Sequence, residues 1–229
     1  MKIIEYNNDL KLDDKLIIGI DEVGVGDYFG PLIAAAVLIP QENKKKLLEL
    51  GVTDSKKIID NKIKILAPKI RELTHFAVYT LTPKGYNNLS QNNNANELKM
   101  FVHLSAISSL LNKNVEYQAV FIDKYSTTKS IEKYFAKFYQ DDYFIKFAKI
   151  DEPIILANKA ESLSLEVACA SILAREKFIY KMQEMNSHYQ VEFPFGASNA
   201  VKAFAKHLWS VRGDIKKEEV CKNTFKMDI

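Results

Sequence analysis

The segment 15–39 constrains the fold more than any other part of the sequence. It contains two short apolar runs, 15–23 and 30–39, which are rich in isoleucine and valine and are separated by a turn containing Gly24 and Gly26. Runs of this length and composition, divided by a glycine-rich turn, predict two buried strands of one hairpin. A hairpin at the start of the fold requires at least one further layer to cover it.

The rest of the chain predicts strands that alternate with helices. Further strands are expected at 75–81, 119–122 and 143–150. Helices are expected at 42–51, 61–73 (with a break at Pro68), 97–111, 127–139, 161–185 and 200–211. This order is typical of an α/β fold, here a mixed five-stranded sheet with helices on both faces and a helical C-terminal extension. Without repeats or a linker, 1–229 is predicted to be a single domain with a short N-terminal arm, 1–14.

Composition excludes several classes of protein. No apolar run approaches the roughly 20 residues that span a bilayer, and the first residues lack the apolar region of a secretory signal. The two cysteines, Cys169 and Cys221, are interpreted as reduced thiols of a cytoplasmic protein, with a disulfide or a metal pair as the less favoured alternative. We therefore expect a cytoplasmic protein without membrane association.

The net charge of +3 does not by itself predict nucleic-acid binding. Positive charge is, however, concentrated in the C-terminal fifth, at Lys177, Lys181, Lys202, Lys206, His207, Arg212, Lys216 and Lys217. Such a cluster suits a surface that faces phosphates. On charge alone, a solvated helix face is slightly favoured.

Two groups of carboxylates follow apolar strands. Asp21 and Glu22 end the first apolar run, and Asp123 ends the run 119–122. An unpaired buried carboxylate costs several kcal/mol, so adjacent ones indicate a bound cation. Acids at strand ends on one edge of an α/β sheet mark a site, and oxygen ligands suit Mg²⁺ or Mn²⁺. The alternative for any one of them is a surface turn residue.

Neighbouring residues on a regular strand point to opposite faces. Asp21 and Glu22 can line one site only if the strand ends or twists there, which the following glycines would permit. The Gly24-Val25-Gly26 turn is not a dinucleotide fingerprint, because the next glycine is Gly30 and a strand follows. These glycines let a backbone approach a substrate strand, or they provide a hairpin turn with positive φ; the two interpretations are compatible.

The stretch from Asp21 to Leu32, DEVGVGDYFGPL, resembles the opening motif of the type 2 ribonucleases H. Its Asp27–Pro31 portion resembles the ribonuclease HIII branch. Further matches follow in the family's order: Thr53-Asp54-Ser55-Lys56-Lys57, Leu98-Lys99 through His103, Phe121-Ile122-Asp123, Lys159-Ala160-Glu161-Ser162, and Phe193 to Ser198. The resemblance covers about residues 16–225.

The resemblance implies a ribonuclease H-like fold and a two-metal mechanism. Asp21, Glu22, Asp123 and Glu161 would be the catalytic residues and would hold two Mg²⁺ or Mn²⁺ ions about 4 Å apart. One ion would activate the attacking water and the other would stabilise the leaving 3′ oxygen. The expected activity is hydrolysis of the RNA strand of RNA–DNA hybrids, which leaves 5′-phosphate and 3′-hydroxyl ends.

The same resemblance assigns the substrate contacts. The turn Gly24, Val25 and Gly26 would sense the 2′-hydroxyl that separates RNA from DNA. Ser55 and Lys56 would contact the substrate, with Lys56 neutralising a phosphate near the cut; the alternative for Lys56 is a solvated lysine. A monomer acting on an RNA–DNA hybrid is expected.

The sequence departs from the family's pattern in three places. Ribonucleases HIII usually carry an N-terminal substrate-binding domain, and only about 15 residues precede the first expected strand here. Val25 supplies no side-chain donor in the glycine turn, and the junction-sensing tyrosine of the HII branch is not found. Three alternatives therefore stay open: a catalytically weak hybrid-binding module, an HII-like enzyme acting at RNA–DNA junctions, and an unrelated metal-dependent phosphatase or nuclease.

Overall fold

The computed structural model describes residues 2–7, 9–12, 14–52 and 59–227. Its strands are β1 (Ile3–Glu5), β2 (Ile17–Val23), β3 (Leu32–Leu38), β4 (His75–Leu81), β5 (Ala119–Asp123) and β6 (Ile154–Ala157). Its α-helices are α1 (Gln41–Glu49), α2 (Asp60–Leu73), α3 (Pro83–Leu89), α4 (Ala95–Leu111), α5 (Thr128–Phe138), α6 (Leu165–Tyr189), α7 (Asn199–Val211) and α8 (Lys217–Val220). A 3₁₀ helix, Ala160–Ser162, precedes α6.

The strands form one mixed sheet in the order β1-β6-β5-β2-β3-β4. Strands β1, β6, β5 and β2 are parallel, whereas β2, β3 and β4 are antiparallel. The predicted hairpin of β2 and β3 is thus confirmed. Helices cover both faces, and α7 and α8 form the helical C-terminal extension, so the predicted fold class is confirmed.

The predicted fifth strand at 143–150 is wrong. This segment has no strand structure; Tyr143, Ile145 and Phe147 are partly buried against the apolar cluster beneath α4 and α5. The strand that follows β5 along the chain and pairs with it is β6, whose four residues are all buried. Burial on both faces gives a strand no alternating pattern. The N-terminal arm adds the sixth strand, β1, which pairs with β6.

The two faces of β2 carry different partners. Ile18 and Ile20 face the apolar cluster formed with α4 and α5. Gly19 faces α6: a Cβ atom at this position would lie 2.4 Å from the backbone nitrogen of Val167. Such a distance is far below van der Waals contact. The missing side chain of Gly19 therefore lets the first turn of α6 lie directly on the strand that carries the acidic pair.

Two predicted helix features are corrected. Helix α2 continues through Pro68, where a break was expected. Pro68 and Lys64 are both exposed, so the carbonyl that loses its helical donor can be hydrated. The helix expected at 161–185 begins instead at Leu165, because the Ser164 hydroxyl caps it by accepting a hydrogen bond from the Val167 N–H.

Candidate active site

Asp21 and Asp123 lie side by side at one edge of the sheet. Ile20 pairs with Ile122 in the parallel ladder between β2 and β5, and each aspartate follows its isoleucine by one residue. Because side chains alternate along a strand, Asp21 shares the face of Gly19, which is the face covered by α6. Asp123 projects to that same face, like Phe121 two residues earlier. The structure therefore brings these two predicted site residues together.

The 3₁₀ helix that carries Glu161 begins next to Asp123. The Asp123 Oδ1 atom accepts a hydrogen bond of 3.2 Å from the Ala160 N–H, which ties the end of β5 to the start of the 3₁₀ helix. Glu161 is half-buried and lines a cavity of about 710 Å³, together with Lys44 and Glu166. The start of the 3₁₀ helix that carries Glu161 thus lies at the same edge of the sheet as Asp123.

Glu22 points to the opposite face, towards α4. Its carboxylate lies 2.8 Å from Lys99 Nζ and 2.7 Å from His103 Nε2, and its side chain is only 10% exposed. Burial would raise the pKa of this carboxyl group. The hydrogen bond and charge of His103 and the ammonium of Lys99 outweigh that effect and hold the pKa at about 2. Glu22 is therefore ionised throughout the neutral range.

Lys99 and His103 form the inner wall of this half of the site. They are four residues apart on α4, so they lie on one face of the helix. Lys99 Nζ stands 4.4 Å from the centre of the Tyr125 ring, and His103, completely buried, contacts the same ring edge-on. Neither Lys99 nor His103 was assigned a role in the site from the sequence alone. The i,i+4 spacing within a motif of the resemblance was the available clue.

The expected end of the strand at Glu22 is wrong. Strand β2 continues to Val23, and Asp21 and Glu22 pair with Ala35 and Ala34 of β3. The regular pleat then separates the two carboxylates. Within the described part of the chain, no group of three or more histidine, cysteine, aspartate or glutamate side chains is arranged so that it could hold a metal ion.

The glycine turn after β2 has one constrained and one open glycine. Gly24 adopts φ +96°, and a Cβ there would lie 2.2 Å from the Pro31 carbonyl oxygen, so the hairpin requires glycine. A Cβ on Gly26 would meet no heavy atom within 4 Å. Val25 between them is 38% exposed. The fold therefore requires a glycine at position 24. At Gly26 no neighbouring atoms require a glycine, and the main chain is exposed at the surface.

Comparison with known proteins identifies the family. The sequence model of the ribonuclease HII family matches residues 18–227. The chain belongs to the ribonuclease HII family. Within it, the chain is 33% identical to ribonuclease HIII of Ureaplasma parvum over 215 residues, which are 92% of this chain and 65% of that protein. It is 36% identical to ribonuclease HIII of Chlamydia muridarum over 211 residues, 91% of this chain and 67% of that protein.

Solved structures of this family share the fold. Bst-RNase HIII in complex with Mn²⁺ superposes with a TM-score of 0.85 at 31% identity, over 95% of this chain and 69% of that one. Aquifex aeolicus RNase H3 gives a TM-score of 0.71 at 28% identity, over 92% and 72%. The predicted resemblance to ribonuclease HIII is confirmed. The chain spans about two thirds of the length of its curated HIII relatives.

Some predictions concern parts of the ribonuclease HII fold that stay untested. Ser55 and Lys56, predicted substrate contacts, lie outside the described residues. The assignment of Asp21, Glu22, Asp123 and Glu161 as catalytic metal ligands stays a prediction. No described helix is both long and apolar enough to cross a membrane.

Proposed function

We propose that this protein is an endoribonuclease that hydrolyses the RNA strand of RNA–DNA hybrids and leaves 5′-phosphate and 3′-hydroxyl ends. The observation that carries the proposal is the placement of Asp21 and Asp123, each one residue after the paired Ile20 and Ile122 of adjacent parallel strands, in a chain of the ribonuclease HII family. Carboxylates at one edge of an α/β sheet are placed to act on a ligand bound outside the strand ends.

The donor set fits divalent cations with a preference for oxygen. Asp21, Asp123 and Glu161 supply only carboxylate oxygens, which suits Mg²⁺ or Mn²⁺ better than zinc. A structural neighbour, Bst-RNase HIII, was solved in complex with Mn²⁺. We propose two ions per site; when bound, they supply activation of the attacking water and stabilisation of the leaving 3′ oxygen.

Residues around the proposed site set its charge and the orientation of its groups. Glu22, with a pKa of about 2, remains an anion at any pH near neutrality, and Lys99 and His103 hold it in place. We propose that it completes the ligand set from the α4 side of the strand. The Gly24-Val25-Gly26 turn, with exposed backbone at Gly26, would contact the 2′-hydroxyl. Ser55 and Lys56 are proposed to contact phosphates.

Asp21→Asn tests the proposal most directly. The wild-type protein with Mg²⁺ or Mn²⁺ should cut the RNA of a labelled hybrid and spare duplex DNA. Asparagine removes a charged ligand, and loss of mere supporting groups around a metal costs 10- to 100-fold, so the variant should lose more than about a hundredfold in kcat/KM. Circular dichroism should show an unchanged fold.

The matched control is Asp151→Asn. Asp151 lies just before β6, at the opposite end of the strands, and its 69% exposed side chain pairs with Lys149. This variant should keep wild-type activity. Equal activities of the two variants would remove Asp21 from the site.

A second candidate function is hybrid binding with weak turnover. The observation favouring it is that the Glu22 carboxylate already has two partners, Lys99 and His103, on the face away from Asp21. Metal-independent binding of the hybrid without cleavage would support this candidate. Equal cutting of DNA and hybrid would instead indicate a general metal-dependent nuclease.

A further inference from the structure

Lys222 is buried in an unusual setting. The residue is 0% exposed, and its Nζ atom donates a 2.8 Å hydrogen bond to the main-chain carbonyl of Asp27, 195 residues earlier. The ring of Tyr86 lies 5.8 Å from the same atom. The acceptor is a neutral peptide oxygen, so this is not a conventional buried ion pair.

Burying such a lysine costs free energy. A charged amine loses its hydration in the interior, and burial lowers the pKa of Lys222 to about 7. Methionine has a similar length and would fill the same space without that cost. The distinctive property of lysine at this position is therefore its hydrogen bond to Asp27.

That hydrogen bond belongs to a clamp around one peptide unit. The Asp27–Tyr28 peptide has its carbonyl bound by Lys222, while its N–H donates to the Gly196 carbonyl at 2.9 Å. The Gly196 N–H returns a 2.6 Å hydrogen bond to Asp27 Oδ1, and the Lys222 N–H donates to the Tyr28 carbonyl at 2.9 Å. Two remote segments, 193–198 and 220–225, are thus tied to the end of the glycine turn.

The glycine turn depends on this clamp because its own closure is weak. Its internal hydrogen bond, from the Asp27 N–H to the Gly24 carbonyl, is 3.4 Å long. Val25 and Gly26 are exposed, so no side-chain packing fixes them. The position of their backbone relative to Asp21 is therefore set largely where the turn ends, at the Asp27–Tyr28 peptide.

We propose that Lys222 is a positioning residue, which fixes the Asp27–Tyr28 peptide so that the 24–26 turn presents its open backbone to the nucleotide at the cut. The proposal rests on the proposed function. It implies that Lys222, although it touches no substrate, contributes to the preference for a ribonucleotide over a deoxyribonucleotide.

The test compares Lys222→Met with Lys113→Met. Lys113 also donates a hydrogen bond to a main-chain carbonyl, that of Phe76 at 2.6 Å. This carbonyl lies on the edge strand β4 and not at the glycine turn. Amide hydrogen exchange followed by mass spectrometry should rise about tenfold in segments 24–30 and 193–198 of the Lys222 variant, as expected for one lost hydrogen bond. The Lys113 variant should keep wild-type exchange there.

The second measurement is kinetic. On a hybrid, Lys222→Met should lower kcat about tenfold with KM within about twofold, because one hydrogen bond positions the turn while phosphate contacts elsewhere hold the duplex. The ratio of kcat/KM for the hybrid over a substrate with one 2′-deoxy nucleotide at the cut should also fall. A purely structural role would leave this ratio unchanged.

The outcomes separate the inference from the function on which it rests. Unchanged exchange in both segments overturns it, and so does raised exchange with unchanged kcat and unchanged 2′-hydroxyl preference. If the wild-type protein cuts no hybrid, the proposed function fails, and the exchange measurement still decides whether Lys222 holds the turn. Should the methionine variant not fold, Lys222→Gln, whose side chain is one atom shorter, replaces it in the same comparison.

Discussion

Replacing Lys222 by methionine should change how stability depends on pH. In the folded protein, burial lowers the pKa of this lysine to about 7, whereas a lysine in an unfolded chain titrates near 10.4. Between these values the unfolded state binds more protons than the folded state. The free energy of unfolding of the wild-type protein should therefore rise with pH in this window and should be lowest below about pH 7.

The size of the effect follows from the two pKa values. Linkage gives a gain of about 2 kcal/mol from Lys222 alone between about pH 6.5 and about pH 8.5. The methionine variant has no such group. It should be more stable than the wild type at the acid end, where the buried ammonium costs most, and its advantage should shrink by about 2 kcal/mol at the alkaline end.

Urea unfolding of both proteins at several pH values, followed by circular dichroism, measures this difference. The other titratable groups are common to both proteins, so their contributions largely cancel when the two curves are subtracted. A difference that stays constant within about 0.5 kcal/mol over the whole window would refute the reasoning, since it would mean that water reaches the ammonium of Lys222 in the folded state.

Three further changes test the site and its support. Gly26→Ala should have the same thermal stability as the control Gly213→Ala, since neither Cβ meets an atom within 4 Å. It should nevertheless lower kcat/KM on hybrids about tenfold relative to that control. Equal activities of the two variants would exclude a close approach of the substrate to the Gly26 backbone. The stabilising effect of ionised Glu22 is present above its ordinary pKa of 4.5 and is lost as pH falls towards about 2. Glu22→Gln should therefore be about 3 kcal/mol less stable than the wild type at neutral pH and should lose less stability on acidification. Matching acid-unfolding curves of the two proteins would contradict this. Gly19→Ala should cost about 3 kcal/mol or more in thermal unfolding, because its Cβ would overlap α6; a wild-type Tm would contradict the packing.

Local patterns were sufficient for most of the fold. The hairpin of β2 and β3 and the strand β4 follow from short apolar runs bounded by turn residues. The error at 143–150 has a physical origin, because aromatic residues pack equally well from an irregular segment as from a strand. Strand β6 was missed because four residues buried on both faces provide too short a pattern.

The candidate site was predictable only in part. The neighbouring positions of Asp21 and Asp123 follow from two apolar strand runs and their parallel pairing, which are local and topological properties. The partners of Glu22 lie 81 residues away in the case of His103, and the clamp on Asp27 spans 195 residues. Periodicity carries no information about such contacts. The burial of Lys222 in particular depends on how the C-terminal segment packs against the glycine turn.

The pleat of β2 gives two adjacent carboxylates different physical roles. Glu22 lies in a pocket with Lys99 and His103, so its charge contributes to the stability of the folded state, and replacing it leaves the largely buried ammonium of Lys99 without its anion. Asp21 lies on the other face, beside the end of β5, where Asp123 accepts a hydrogen bond from the 3₁₀ helix. If the proposed function is correct, a change at Asp21 should therefore act on catalysis with little effect on stability, whereas a change at Glu22 should affect both. A single strand that continues through both residues, and does not end between them, is what separates the two effects.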